Sequence, residues 1–299
     1  MNINIRIVNR NKIYKSTESA MDEGTDSEND LGDVSSANST VPNKDKSDAS
    51  KDESAMKEKM KSFWEKIGVF FKTLYNYSIN ISQTTPYILR AKRIALKYKN
   101  NNNSLPDGWK DAACKLKPGL TYDKLKMCFY QAYKAISTLQ NINITNISKT
   151  TEEEWDKRKT IIEDILKPTS DINDKNIQET EVKVGSVFST DQVLTSTIAN
   201  IANGMIFDKK ISSIFTEGLA PLAQKLQKIA DEKSGSGLTV DKNDKSMIII
   251  KDLIVYTKQI IEIFKTVIGA PLLCGETAFK DAKKLNIIQK AIGNFKNNL

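Results

Sequence analysis

From Lys57 onward, apolar residues recur at steps of three and four. In 57–79, Met60, Phe63, Trp64, Ile67, Phe71, Leu74 and Tyr75 fall on one face of a helix. Thr85-Pro86 reads as a cap followed by proline at the first helical position. It opens a second helix carrying Ile88, Leu89, Ala91, Ile94, Ala95 and Tyr98. Asn100 to Asn103 form a polar break and Pro106-Asp107-Gly108 a turn. A short helix is expected over 109–116, ended by Pro118-Gly119, and a long one over 122–140, with Leu125, Cys128, Phe129, Ala132, Tyr133, Ile136 and Leu139 on one face. Thr151 with Glu154 fits a capping box, and Glu152 and Glu153 add negative charge at the positive helix end. That helix carries Trp155, Ile162, Ile165 and Leu166 and stops at Pro168.

Residues 168–188 are polar, with a short strand expected over 181–188. Ser189 with Gln192 reads as a second capping box, opening a helix with Val193, Leu194, Ile198, Ile201 and Ala202. A helical stretch over 208–232 is expected to be bent or broken near Gly218 to Pro221, and 233–237 to be a loop. A helix over 244–268 is expected to end at Gly269, before Pro271. A last helix over 276–295 presents Phe279, Ala282, Leu285, Ile288, Ile292 and Phe295. The pattern predicts a mainly α-helical protein with two bundle-like modules, 57–167 and 189–299, joined by a linker at 168–188.

The first 56 residues lack this periodicity. Residues 16–43 hold seven acids and no base, among Ser, Asn and Gly. Such a stretch buries too little apolar area to offset its ordering entropy, so 16–56 is expected to be disordered. Residues 1–15 alternate Ile and Val with polar residues and fit a strand, a recognition tag or a frayed arm.

Composition removes several chemistries. Histidine is absent, which excludes Ser-His-Asp and Cys-His nucleophiles, His-ligated zinc and a His general base. Cys114, Cys128 and Cys274 are odd in number and never spaced as CxxC, so they read as buried free thiols. Gly235-Ser236-Gly237 lacks the strand and Gly-Lys-Ser/Thr of a phosphate loop, and 241–244 lacks the glycine and distal glutamate of a calcium loop. No cofactor or metal is implied. An enzyme would need a buried carboxylate or lysine of strongly shifted pKa, so a non-enzymatic role is expected. The start is too polar for a secretory signal, and the most apolar stretch, 247–268, is interrupted by Lys251, Asp252, Lys258, Glu262 and Lys265. The chain therefore reads as soluble.

Charge changes the picture most. The net charge is +8, but residues 57–134 hold sixteen bases and five acids, against seven and eleven in 1–56. Arg90, Arg93 and Lys97 share a face of the second helix, flanked by Lys92 and Lys99. These five are the candidate phosphate contacts, with aromatics such as Trp64, Phe71, Tyr87 and Tyr98 interleaved. The face suits a polyanion: DNA or another acidic partner. The bland alternative is a solvated helix face, and the acidic arm is itself a candidate to fold back on it. A membrane surface is the alternative partner, through the amphipathic helix over 57–79, although several further amphipathic helices follow it and burial in a bundle accounts for its pattern better.

The run 61–75, KSFWEKIGVFFKTLY, behind an acidic low-complexity arm, resembles the internal head proteins of large tailed phages. The resemblance covers residues 1–80. It implies a helical structural protein packed with DNA in the virion interior, made in the host cytoplasm, with capsid or scaffold proteins as further partners. It also implies removal of an N-terminal targeting segment by a prohead protease cutting after glutamate. Ser16-Thr17-Glu18 and Met21-Asp22-Glu23 are similar to such sites, making Glu18 and Glu23 the candidate processing positions; 177–179 and 215–217 fit the same pattern.

Overall fold

A computed structural model describes residues 49–81, 86–141, 147, 150–174, 176–235 and 246–296. The expected arm up to residue 48, and the candidate processing positions Glu18 and Glu23 within it, lie outside the described residues. So does the Thr85 cap. The described chain is mainly helical and falls into two compact units. One is built from 49–81, 215–235 and 246–250, the other from 86–141, 151–214 and 251–296.

In the first unit, helix α1 (Ala49–Ile81) begins eight residues before the periodic pattern does. Ala49, Lys51, Glu53, Ala55 and Met56 are good helix formers, and extending a helix already nucleated costs little. Phe63, Trp64, Ile67, Phe71 and Leu74 are buried. They form the packed face that α1 turns to the helix over Ala220–Gly235, whose Leu222, Ala223, Leu226 and Ala230 are buried in turn. Gly68 marks the close approach: a Cβ there would sit 3.1 Å from Asp231 Oδ1.

The second unit opens with α2 (Pro86–Asn100), which Asn102 and Asn103 terminate in left-handed conformations that asparagine tolerates. The short helix expected over 109–116 is instead a 3-10 turn, Trp109–Asp111, followed by strand β1 (Ala113–Leu116). Burial alternates there, with Cys114 and Leu116 inside and Ala113 and Lys115 outside; that is a strand's period of two. Helix α3 (Tyr122–Asn141) matches expectation, as does α4 (Glu152–Leu166), where Thr151 and Glu154 form the reciprocal capping box. A 3-10 turn and the single-turn α5 (Ser170–Asn173) follow.

Strand β2 (Thr180–Lys183) pairs antiparallel with β1, Cys114 opposite Val182. Residues on both sides of the linker expected at 168–188 therefore share one unit. Periodicity along the chain carries no signal for a pairing this distant. After α6 (Val184–Val187), helix α7 (Asp191–Ala202) is capped by Thr190 rather than Ser189, the Thr190 hydroxyl accepting from Val193 N. A hairpin of β3 (Met205–Ile206) and β4 (Lys209–Lys210) occupies the start of the stretch expected to be helical. The helical turn α8 (Ile211–Ser213) and a π-helical turn, Ile214–Leu219, lead into α9 (Ala220–Gly235). The chain stays helical through Gly218 to Pro221, where a bend or break is expected; what changes there is the pattern from π to α.

The last two expected helices are one: α10 (Ser246–Lys296) runs for 51 residues with Pro271 inside it. Proline removes a hydrogen bond and crowds the preceding turn, so burial must hold the helix together here. Val267, Ile268, Ala270, Leu272, Cys274 and Ala278 are all buried around it. Gly275 lets neighbours come close; a Cβ would lie 2.5 Å from Ile198 Cδ1 and 3.1 Å from Ile94 Cγ2. Trp155 Nε1 donates to Asp252 Oδ2 at 2.8 Å and the Tyr256 hydroxyl to Glu163 Oε1 at 2.9 Å, fixing α4 to α10.

Candidate nucleic-acid interface

The basic helix α2 is positioned by its apolar side. Ala91 and Ile94 are buried, Tyr87, Ile88, Ala95 and Tyr98 half-buried, and α2 packs along α7. Each residue turns the helix by about 100°, so the opposite arc faces outward. Lys92, Arg93, Lys97 and Lys99 all lie there, exposed, and none makes an ion pair among the described residues. Lys92 and Lys99 form one edge of the arc, Arg93 and Lys97 the other. Leu89 and Leu96, 50% and 58% exposed, run between the two edges.

Arg90 does not join them. Its guanidinium is half-buried and bidentate on Glu276 of α10, Nε to Oε1 at 3.0 Å and Nη2 to Oε2 at 2.8 Å. This bond holds the Glu276 carboxyl below its usual range, aided by the charge of Arg90, Lys280 and Lys97, while Arg90 is raised. Sequence spacing placed Arg90 on the cationic face because its partner is 186 residues away. Lys97 and Lys99 also sit in the last turn, where cations favour the helix dipole, so half of the set has a structural use as well.

A second basic surface escaped the sequence reading. On α3, Lys126, Tyr130 and Lys134 lie at successive turns of the outward side, and all three are exposed. The β3–β4 hairpin stands against this row. Phe207, at its tip, has φ +50°, a conformation that bulky residues rarely adopt. Its ring lies 6.2 Å from Tyr130, 5.8 Å from Tyr122 and 5.2 Å from Phe129. The Tyr130 hydroxyl donates to Asp208 Oδ1 at 2.7 Å, which raises the Tyr130 pKa and lowers that of Asp208. Lys209 Nζ sits 5.4 Å over the Tyr133 ring and 3.4 Å from Asp208. The outward row was legible at i, i+4, i+8. The hairpin was not, since its tip, Phe207-Asp208, lacks glycine or asparagine.

Elsewhere among the described residues chemistry is sparse. A cleft of about 490 Å³ is lined by Lys159, Glu163, Asn173, Asp252, Tyr256 and others, and Lys159 engages the carboxylates of Glu163 and Asp252. Lys159 Nζ is 3.4 Å from Asp252 Oδ2, and the Tyr256 proton is held by burial and by Glu163. Among the described residues no group of three or more Cys, Asp or Glu is placed to hold a metal ion. No described helix is long and apolar enough to cross a membrane. No protein-family model matches the chain, and no curated protein or solved structure matches it either.

Proposed function

We propose that this chain is a non-enzymatic structural protein that associates with nucleic acid through the outward face of α2, as a component packaged with DNA inside a phage head. The observation that carries the reading is the set Lys92, Arg93, Lys97 and Lys99, exposed and without ion-pair partners among the described residues. Four cations on one arc lower the cost of confining phosphates and release counterions on contact. Arg90 belongs to the scaffold in this reading. The resemblance over 1–80 supplies the setting: virion interior rather than cytoplasm, trimming after Glu18 or Glu23, and capsid or scaffold proteins as neighbours.

A second reading has its own support. Leu89 and Leu96 between cationic edges suit an anionic lipid surface, where leucines enter the acyl boundary and lysines meet headgroups. It attaches to α2 rather than to 57–79, whose apolar face is buried in the first unit. Anisotropy with labelled duplex DNA and co-sedimentation with phosphatidylserine vesicles separate the two. The proposal expects duplex binding at low salt, weakened severalfold by Lys92→Ala with Arg93→Ala. Vesicle binding without duplex binding transfers the face to lipid, and binding to neither rejects both.

A further inference from the structure

The surface formed by α3 and the β3–β4 hairpin carries aromatic rings and lysines together, and the α2 reading makes no use of it. We infer that Lys126, Tyr130 and Lys134, backed by Phe207, form a separate binding site for single-stranded nucleic acid. The inference rests on the nucleic-acid reading above and narrows its substrate class.

Three observations converge. First, Tyr130 is a large aromatic left 36% exposed, with lysines one turn before and one turn after it. At about 1.5 Å per residue, Lys126 and Lys134 are spaced some 12 Å apart along α3. A base resting on the Tyr130 ring would have its flanking phosphates directed toward these two ammonium groups. Second, the ring is fixed in advance. Its hydroxyl is anchored 2.7 Å from Asp208, it meets Phe129 edge-on at 5.2 Å between centroids, and Phe207 supports it at 6.2 Å. A preorganised ring loses little freedom when a base stacks on it. Third, the hairpin keeps Phe207 in a left-handed conformation to bring its ring here, and such strain persists only where surrounding contacts enforce it.

Charge favours the same occupant. Lys126, Lys134 and Lys210 are exposed without ion pairs among the described residues, and Lys209 adds a fourth ammonium. The adjacent carboxylate, Asp208, is compensated by the Tyr130 hydroxyl and Lys209. A duplex keeps its base faces stacked inside and so makes no use of an exposed ring; a single strand presents them, and stacking on aromatics is tolerant of sequence.

The test uses the full chain and two labelled probes in anisotropy titrations: an oligothymidylate of about 16 nucleotides, at the upper end of known single-strand site sizes, and a duplex of equal length. Tyr130→Ala should weaken single-strand binding about tenfold, the scale of one base–aromatic stack, with duplex binding unchanged. Tyr130→Phe keeps the ring and its contacts with Phe129 and Phe207 but loses the bond to Asp208, and should weaken single-strand binding only about twofold, far less than alanine does. Lys126→Ala with Lys134→Ala should reduce the single-strand salt slope by about 1.4. The inference is overturned if Tyr130→Ala binds the single strand normally, if it loses both probes in proportion, or if Tyr130→Phe fails as badly as alanine. Duplex binding without single-strand binding removes this site alone. Absence of both removes the nucleic-acid reading with it.

Discussion

At the scale of single residues, burial and partners decide what the side chains do. Cys114 and Cys274 are both buried with Sγ atoms 3.8 Å apart. The shared hydrogen bond lowers Cys114 and raises Cys274, while burial pushes Cys128 up to about 11. Thiolate is the reactive form, so native-state alkylation at pH 8 should modify Cys114 before Cys128. Peptide mass spectrometry after timed quenching checks the order, and equal rates would contradict the burial described for Cys128. Glu276 gives a pH-dependent contribution. Its folded pKa is depressed, chiefly by the Arg90 hydrogen bond, so its stabilising effect is complete above the unfolded value of about 4.3 and is lost as pH falls through the folded value. Arg90→Ala should cost about 1 kcal/mol near pH 7, since the pair is bidentate but still partly exposed, and less at pH 3, below the unfolded value. Urea unfolding at the two pH values measures this. The same variant should bind DNA almost as the parent protein does, which separates Arg90 from the four outward cations.

At the scale of elements, the helices were legible because each buries one face. Most positions predicted for α1, α3 and α4 are buried, among them Trp64 and Phe71, Cys128 and Phe129, Trp155 and Ile162, while Met60, Tyr75 and Tyr133 are half-buried. Trp64→Ala should therefore cost about 3–5 kcal/mol, read by thermal or urea unfolding. The failures share a cause, since each depends on contacts distant in sequence. β1 is a strand because it meets β2 some seventy residues later, and the acidic partner of Arg90 is farther still. Gly269 and Pro271 signal a helix end, yet burial around Val267, Leu272 and Cys274 overrides them. The continuity of α10 makes its own prediction. Pro271→Ala restores a backbone donor inside an intact helix and should raise the thermal midpoint. A lowered midpoint would favour two helices meeting at a proline turn, as the local sequence suggests. The opposite change, Gly275→Val, forces side-chain atoms against Ile198 and Ile94 and should destabilise by about 1–3 kcal/mol.

At the scale of the whole molecule, charge is the property that connects sequence to proposed function. The excess of bases over 57–134 was plain from counting, and most of the chosen residues do face outward. Counting could not show that Arg90 is spent on Glu276, nor that a hairpin from 205–210 brings Phe207 and Lys209 against Tyr130 and Tyr133. The central claim is electrostatic, and salt is its most direct probe. Binding of duplex DNA should be followed as salt rises from 50 to 200 mM, the range over which phosphate contacts lose their grip. Four phosphate contacts predict a log–log slope near −3.6. Replacing Lys92, Arg93, Lys97 and Lys99 together by alanine should bring that slope close to zero, while the thermal midpoint falls only slightly as the last-turn charges of Lys97 and Lys99 are lost. A slope unchanged by the fourfold replacement, or binding that salt does not weaken, would contradict the assignment of this face to nucleic acid.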